Sequence, residues 1–168
     1  MIEKPSRPWW KYAILFVPLI VIGGSASGIG FGPDEWYRDL EKPAFQPPNY
    51  LFGIVWPILY ALLGVAISMI LASPKTPKRD AAIALFVIQL ALNFAWSYVF
   101  FGAHAIEVAK WHLAAILVIA ALAAGRFFRI RPLAGWLMVP YLLWLIFAFT
   151  LNSAIVELNP GVSEPLFG

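Results

Sequence analysis

Four stretches of this chain, 12–31, 49–72, 81–101 and 132–156, each run for 20 residues or more without a charged side chain. A bilayer core is about 30 Å thick, and roughly 20 apolar residues of helix cross it. A helix satisfies its own backbone hydrogen bonds, which lipid cannot do. A fifth stretch, Trp111–Gly125, is uncharged over only 15 residues. It reaches span length by extending through Glu107 and Lys110, an i,i+3 pair whose lysine can snorkel, and through Phe127 and Phe128. The expected fold is an all-α membrane protein, a five-transmembrane-helix bundle with a structured loop between helices 1 and 2. It forms a single integral membrane domain over 1–168, with spans at about 12–31, 49–72, 81–101, 105–128 and 132–157.

Composition narrows the function. Only 12% of residues are charged, against roughly a quarter in soluble domains, so little of the chain lies outside lipid. There is no basic tract, so nucleic acid is not an expected partner; membrane lipid is. The absence of cysteine removes disulfides, thiol catalysis and Cys-ligated metals. No pair of histidines has metal-ligand spacing, and no metal site is expected. The stretch "GIGFG" at 28–32 ends a membrane helix and has no lysine, so it is not a phosphate loop. No Asp, Glu, Lys or Arg lies in the four clear spans. Such residues mark ion and proton pathways, so ion-coupled transport finds little support.

The basic residues orient the bundle. Lys4, Arg7, Lys11, Lys75, Lys78, Arg79, Arg126, Arg129 and Arg131 share one face, which totals nine, and Arg38, Lys42 and Lys110 share the other, which totals three. The positive-inside rule puts the N-terminus in the cytoplasm and the C-terminus outside, in a bacterial cell membrane. The basic start, apolar run and "SAS" at 25–27 also fit a cleavable signal peptide. Trp9 and Trp10 read as interfacial anchors of a retained first helix. The tail from Asn159 to Gly168 is expected to be a short, mobile end.

The loop "WYRDLEKPAFQPPNY" at 36–50 lies on the face with fewer cations. Pro43, Pro47 and Pro48 each fix φ and restrict the preceding residue, so much of it is stiff and extended. "PDEWYRDL" can form one short helix with acids in its first turn. Two readings of the loop stand: an interfacial hairpin with its aromatics among headgroups, or a lid over the bundle's mouth. Helix rise favours the lid. Trp56 lies ~10 Å and Tyr60 ~16 Å below the loop face, with Trp96 at ~8 Å, Asn93 at ~12 Å and Asn152 at ~8 Å. Gln89 and Asn93 share a helix face, and Tyr141, Trp144, Ala148 and Asn152 follow another stripe. Apolar and aromatic walls with a few polar groups make a ligand pocket; interhelical hydrogen bonding is the competing reading of the amides. Gly24-x-x-x-Gly28, Ala91 and Ala95 are close-packing signals, within one bundle or between protomers. His104, at the same mouth, is a candidate axial haem ligand or a headgroup-level histidine.

Five motifs carry a family resemblance: "WYRDLEKPAFQPP" at 36–48, "VWPILYALLG" at 55–64, "QLALNFAWSYVFFG" at 89–102, "VPYLLWLIFAFTLN" at 139–152 and "IVELN" at 155–159. With them the chain resembles the tryptophan-rich sensory protein family, also called translocator proteins or peripheral benzodiazepine receptors. The resemblance implies five helices and a cavity closed by the first loop. It also implies porphyrin, haem, sterol and synthetic aromatic ligands, and a frequent homodimer. The family's loop Trp matches Trp36 and its second-helix Trp matches Trp56. Its third-helix Asn and Trp match Asn93 and Trp96, and its fifth-helix Tyr, Trp and Asn match Tyr141, Trp144 and Asn152. Phe45 stands where the loop motif often has a second Trp. No Lys or Arg follows Arg131, whereas the animal members' C-terminal cholesterol motif needs a basic residue after a Tyr.

The expected function is a membrane receptor for porphyrins, haem and similar apolar ligands, with no obligatory cofactor. Trp36 and Phe45 close the top. Trp56, Tyr60, Trp96 and Trp144 offer stacking surfaces, and Asn93, Tyr141 and Asn152 polar contacts. The alternatives are photo-oxidative or oxidative porphyrin breakdown using Trp36 and Trp56, and passive translocation or membrane scaffolding.

Overall fold

The computed structural model describes residues 8–163. Its elements are α1 (Trp9–Gly30), α2 (Glu35–Asp39), α3 (Asn49–Leu71), α4 (Pro77–Ser97), α5 (Ile106–Ile130) and α6 (Pro132–Leu158). All but α2 are long and apolar enough to cross a membrane. Among the described residues there is no strand. A π-helical turn, Tyr98–Gly102, extends α4 toward the loop end of the bundle. The weakly marked fourth span is a full 25-residue helix with Glu107 in its first turn. Lys110 lies in that helix with its ammonium 5.1 Å from the Trp111 ring.

Prolines and caps set the helix starts. Pro77 and Pro132 occupy first-turn positions of α4 and α6, where a missing N–H costs nothing. Thr76 caps α4 by accepting from the Arg79 N–H at 3.2 Å. Arg79 folds back into the bundle and closes the end of α3. Its Nε and Nη2 donate to the carbonyls of Ile70 and Leu71, each at 3.2 Å. Those are among the carbonyls a helix end leaves without a partner.

The five spans form a ring. α1 packs on α3, α3 on α6, α6 on α5 and α5 on α4, and a thin α1–α4 contact closes it. Two glycines bring α1 and α3 together. A Cβ on Gly64 would lie 2.7 Å from the Val17 Cα, and one on Gly24 would lie 2.1 Å from the Tyr60 ring. Toward the loop end α1 turns to α4 instead: the Ser27 hydroxyl donates to the Phe94 carbonyl, and Phe31 meets Tyr98 edge to face at 5.2 Å. The main core fills the opposite half, with the Phe86 and Phe127 rings stacked 5.7 Å apart. A smaller core at the loop end gathers Tyr37, Leu40, Val99, Phe100, Ile106 and Ile155.

The tail does not begin where expected. Asn159 is 9% exposed and tied to the loop, and the Ser163 hydroxyl accepts from the Glu107 N–H at 3.3 Å. Residues 164–168 lie outside the described residues.

Candidate functional site

A cavity of about 450 Å³ opens inside the loop end of the ring. α1, α3, α4 and its π turn, α5 and α6 all contribute walls, and Gly32, Pro33 and Tyr37 contribute the roof. Among the described residues, no Asp, Glu, Lys, Arg or His lines it. The volume falls within the range of small-molecule sites.

Aromatic side chains dominate the walls. Trp56 stacks on Tyr60 at 5.3 Å with 28° between the rings, and it meets Trp144 edge to face at 6.4 Å and 88°. Trp96 tilts against Phe100 at 5.0 Å. Its indole N–H donates to the Ala109 carbonyl at 3.1 Å, so Trp96 presents only a ring surface to the cavity.

The polar groups fall into two sets. The Tyr60 hydroxyl donates to Asn93 Oδ1 at 2.8 Å. Asn152 Nδ2 donates to the Ile106 carbonyl at 3.1 Å. The first bond crosses the ring from α3 to α4 and the second joins α6 to α5, and both use up the atoms they engage. Two buried atoms of wall residues are left without a partner, the Trp144 indole N–H and Asn152 Oδ1. One is a donor and the other an acceptor. Unpaired buried polar atoms are costly and uncommon, and both of these lie behind the cavity surface rather than on it.

Of the nine residues expected at the site, Trp56, Tyr60, Asn93, Trp96, Trp144 and Asn152 line the cavity. Tyr141, Trp36 and Phe45 do not. Tyr141 is fully buried beneath it, and its hydroxyl donates to Gln89 Oε1 at 2.7 Å. It lies one helical turn too deep, so it supports the Trp56 ring at 6.4 Å rather than offering a polar contact. Phe45 is 50% exposed and faces away. Trp36 stacks on His104 at 4.0 Å and 19° and touches Phe100 from above. Of the two tryptophans named for oxidative breakdown, only Trp56 borders the cavity.

The inward aromatic of the loop is Tyr37, 5% exposed, with its edge on Phe101 at 5.1 Å. Burial raises its phenol above the usual tyrosine value, and a hydrogen bond with Gln46 partly offsets this. Asp34 holds α2 in place with both carboxylate oxygens. Oδ1 accepts the Tyr37 N–H at 2.9 Å and caps the helix, while Oδ2 meets His104 Nε2 at 3.0 Å. The Tyr37 N–H chiefly lowers the Asp34 carboxyl below its usual value; desolvation opposes this and His104 adds to it. His104 does not line the cavity, so it is not placed as an axial ligand for a haem held there; its Nε2 is held by Asp34 and one ring face is covered by Trp36. Lys42 closes the other end of α2, donating to the carbonyls of Arg38 and Leu40 at 2.9 and 2.8 Å, with its ammonium 4.8 Å from the Tyr37 ring.

The sequence profile of the TspO/MBR family matches residues 14–158. A translocator protein of Sus scrofa is 35% identical over 159 residues, covering 92% of this chain and 94% of its own length. A tryptophan-rich protein TspO of Chlorobaculum tepidum is 35% identical over 143 residues, 84% and 90% of the two chains. Protein CrtK of Rhodobacter capsulatus is 31% identical over 153 residues, 89% and 93% of the two chains. Every residue of the cavity wall falls inside the matched region. The chain is an integral membrane protein and belongs to the TspO/MBR family.

Proposed function

We propose that this protein is a membrane receptor for flat apolar ligands, porphyrins and haem among them, held in the cavity beneath the loop. The observation that carries the reading is an uncharged chamber walled by aromatic rings, roofed by the loop. Rings of Trp56, Trp96 and Trp144 supply stacking area. The carboxylates of a porphyrin would remain at the mouth, because the walls hold no cation. The relatives named as translocator and tryptophan-rich proteins are consistent with a binding role in a membrane.

Porphyrin titration of the purified protein, followed by tryptophan quenching, tests this. Trp56→Ala and Trp144→Ala are expected to raise the dissociation constant several-fold or more, since an aromatic contact contributes on the order of 1 kcal/mol beyond its buried area. Unchanged titrations in both folded variants would favour a scaffold. Breakdown of bound porphyrin under light and oxygen, suppressed by Trp56→Phe with binding retained, would make the protein an enzyme instead.

A further inference from the structure

The loop roofs the cavity, yet it is fastened on several sides. Asn159 Oδ1 accepts the Glu41 N–H at 2.8 Å, and its Nδ2 donates to the Glu41 carbonyl at 2.9 Å. Asp34 and Trp36 engage His104, and Tyr37 and Leu40 are buried in the loop-end core. A ligand entering through the roof would have to undo these contacts together.

The wall between α1 and α3 is different. Gly24 and Gly28 are one helical turn apart and present the same face of α1. Gly53 and Gly64 are ~3 turns apart and present the same face of α3. At Gly24 and Gly64 these faces touch so closely that no Cβ fits. At Gly28 and Gly53 a Cβ would meet nothing within 4 Å. Both open glycines are exposed, and both line the cavity. Asn49 and Ile29, the latter 84% exposed, complete the rim. Two helices packed hard at Gly24 and Gly64 have parted at the loop end. Apart from Asn49 at the start of α3, the rim is glycine and isoleucine, which a hydrocarbon can slide past.

We propose that Gly28 and Gly53 frame a lateral portal, through which apolar molecules dissolved in the leaflet on the loop side enter the cavity while the loop stays fastened. The proposal builds on the cavity as a binding chamber and does not depend on which ligand it holds. Its residues set which shapes pass: a flat or narrow apolar molecule clears two glycines, and a side chain at either position narrows the gap.

The test needs no ligand. Leu151 lines the cavity and is 6% exposed, and the chain has no cysteine. Leu151→Cys, in phosphatidylcholine vesicles, is labelled with a lipid-soluble pyrene maleimide. Gly28→Leu and Gly53→Leu, singly and together, are each placed in that background, as is Asn159→Ala, which loosens the roof. Leucine improves helix propensity at both positions and fills open space, so the single variants keep the fold even if the pair does not. The expected result is labelling slowed tenfold or more by Gly53→Leu or Gly28→Leu and changed less than twofold by Asn159→Ala. Labelling that proceeds at the parent rate in all the leucine variants would overturn the portal. A separate porphyrin titration of the parent protein judges the ligand reading, so each idea can fail alone.

Discussion

Asn159 brackets the backbone of Glu41, accepting its N–H and donating to its carbonyl across 118 positions of sequence. A third bond, from Nδ2 to the Ile155 carbonyl at 2.8 Å, fixes the amide against the end of α6. Asn159→Ala leaves both Glu41 groups without these partners. We expect a loss of about 1–3 kcal/mol, the usual cost of orphaning partly buried polar groups. Amide hydrogen exchange should accelerate in residues 40–48 and stay unchanged in α3 and α5.

Acidification should act on the same loop through Asp34. Its carboxyl titrates lower folded than unfolded. Its contribution is therefore complete above the unfolded value, near pH 4, and is lost as pH falls through the lower folded value. Asp34→Asn keeps an N-cap oxygen but does not titrate. Loop hydrogen exchange of the parent and variant should run in parallel at neutral pH. Only the parent should gain further exchange attributable to this carboxyl below about pH 4.

Arg79 offers a different kind of test. Its side chain is 9% exposed and its guanidinium satisfies two carbonyls at the end of α3, while Asp80, 3.7 Å away, is largely solvated. The ion pair therefore contributes little, and the carbonyls matter more. Arg79→Met should cost about 1–3 kcal/mol, and Asp80→Asn should cost well under 1 kcal/mol. Thermal unfolding midpoints in one detergent compare them directly.

Glycines predict opposite signs. Gly64→Ala drives a methyl into the Val17 backbone and should destabilise by about 1–3 kcal/mol through overpacking. Gly125 lies inside α5 with open space around it. Gly125→Ala should stabilise by up to about 1 kcal/mol, the helix-propensity difference. Unfolding midpoints that fall for both variants would contradict this packing account.

The charge asymmetry predicts a sidedness. Cysteines placed at Ala44 and Lys75, both exposed, should react with an impermeant maleimide from opposite faces of sealed cells, Ala44 from outside. Ser73 is a poorer site than Lys75, because its hydroxyl is buried and donates to the Met69 carbonyl.

The spans were legible because lipid imposes a length and a composition that few other folds need. The one weak span, α5, was obscured by Glu107 and Lys110, which the interface tolerates at a helix start. The depths of Trp56, Tyr60, Asn93, Trp96 and Asn152 followed from helix rise and the placing of Trp144 from its helical stripe, and these six residues do share the cavity. The loop was harder. α2 has five residues, too few for a period to show which aromatic turns inward. Whether Trp36 or Tyr37 faces the chamber is decided by anchors at His104 and Asn159, far away in sequence. Tyr141 sits on the right stripe, but the floor formed by Tyr60 and Asn93 cuts the cavity off above it. The open glycines carried no signal by themselves, since Gly24-x-x-x-Gly28 looks equally close-packed at both ends. "IVELN" at 155–159 carried the Asn159 clasp, but only as a motif without a partner.

Ser27 and Phe31 hold the last turn of α1 against α4, and this has a mechanical meaning. They act as a strut. For an empty chamber to collapse, α1 would have to swing back onto α3 and abandon both contacts, while Gly24 and Gly64 already press the rest of the two helices as close as backbones allow. The hollow is thus built into the resting shape of the bundle, and an incoming molecule meets a space that it does not have to excavate. For a ligand of the kind proposed, the free energy that many receptors spend on opening would be left to hold it.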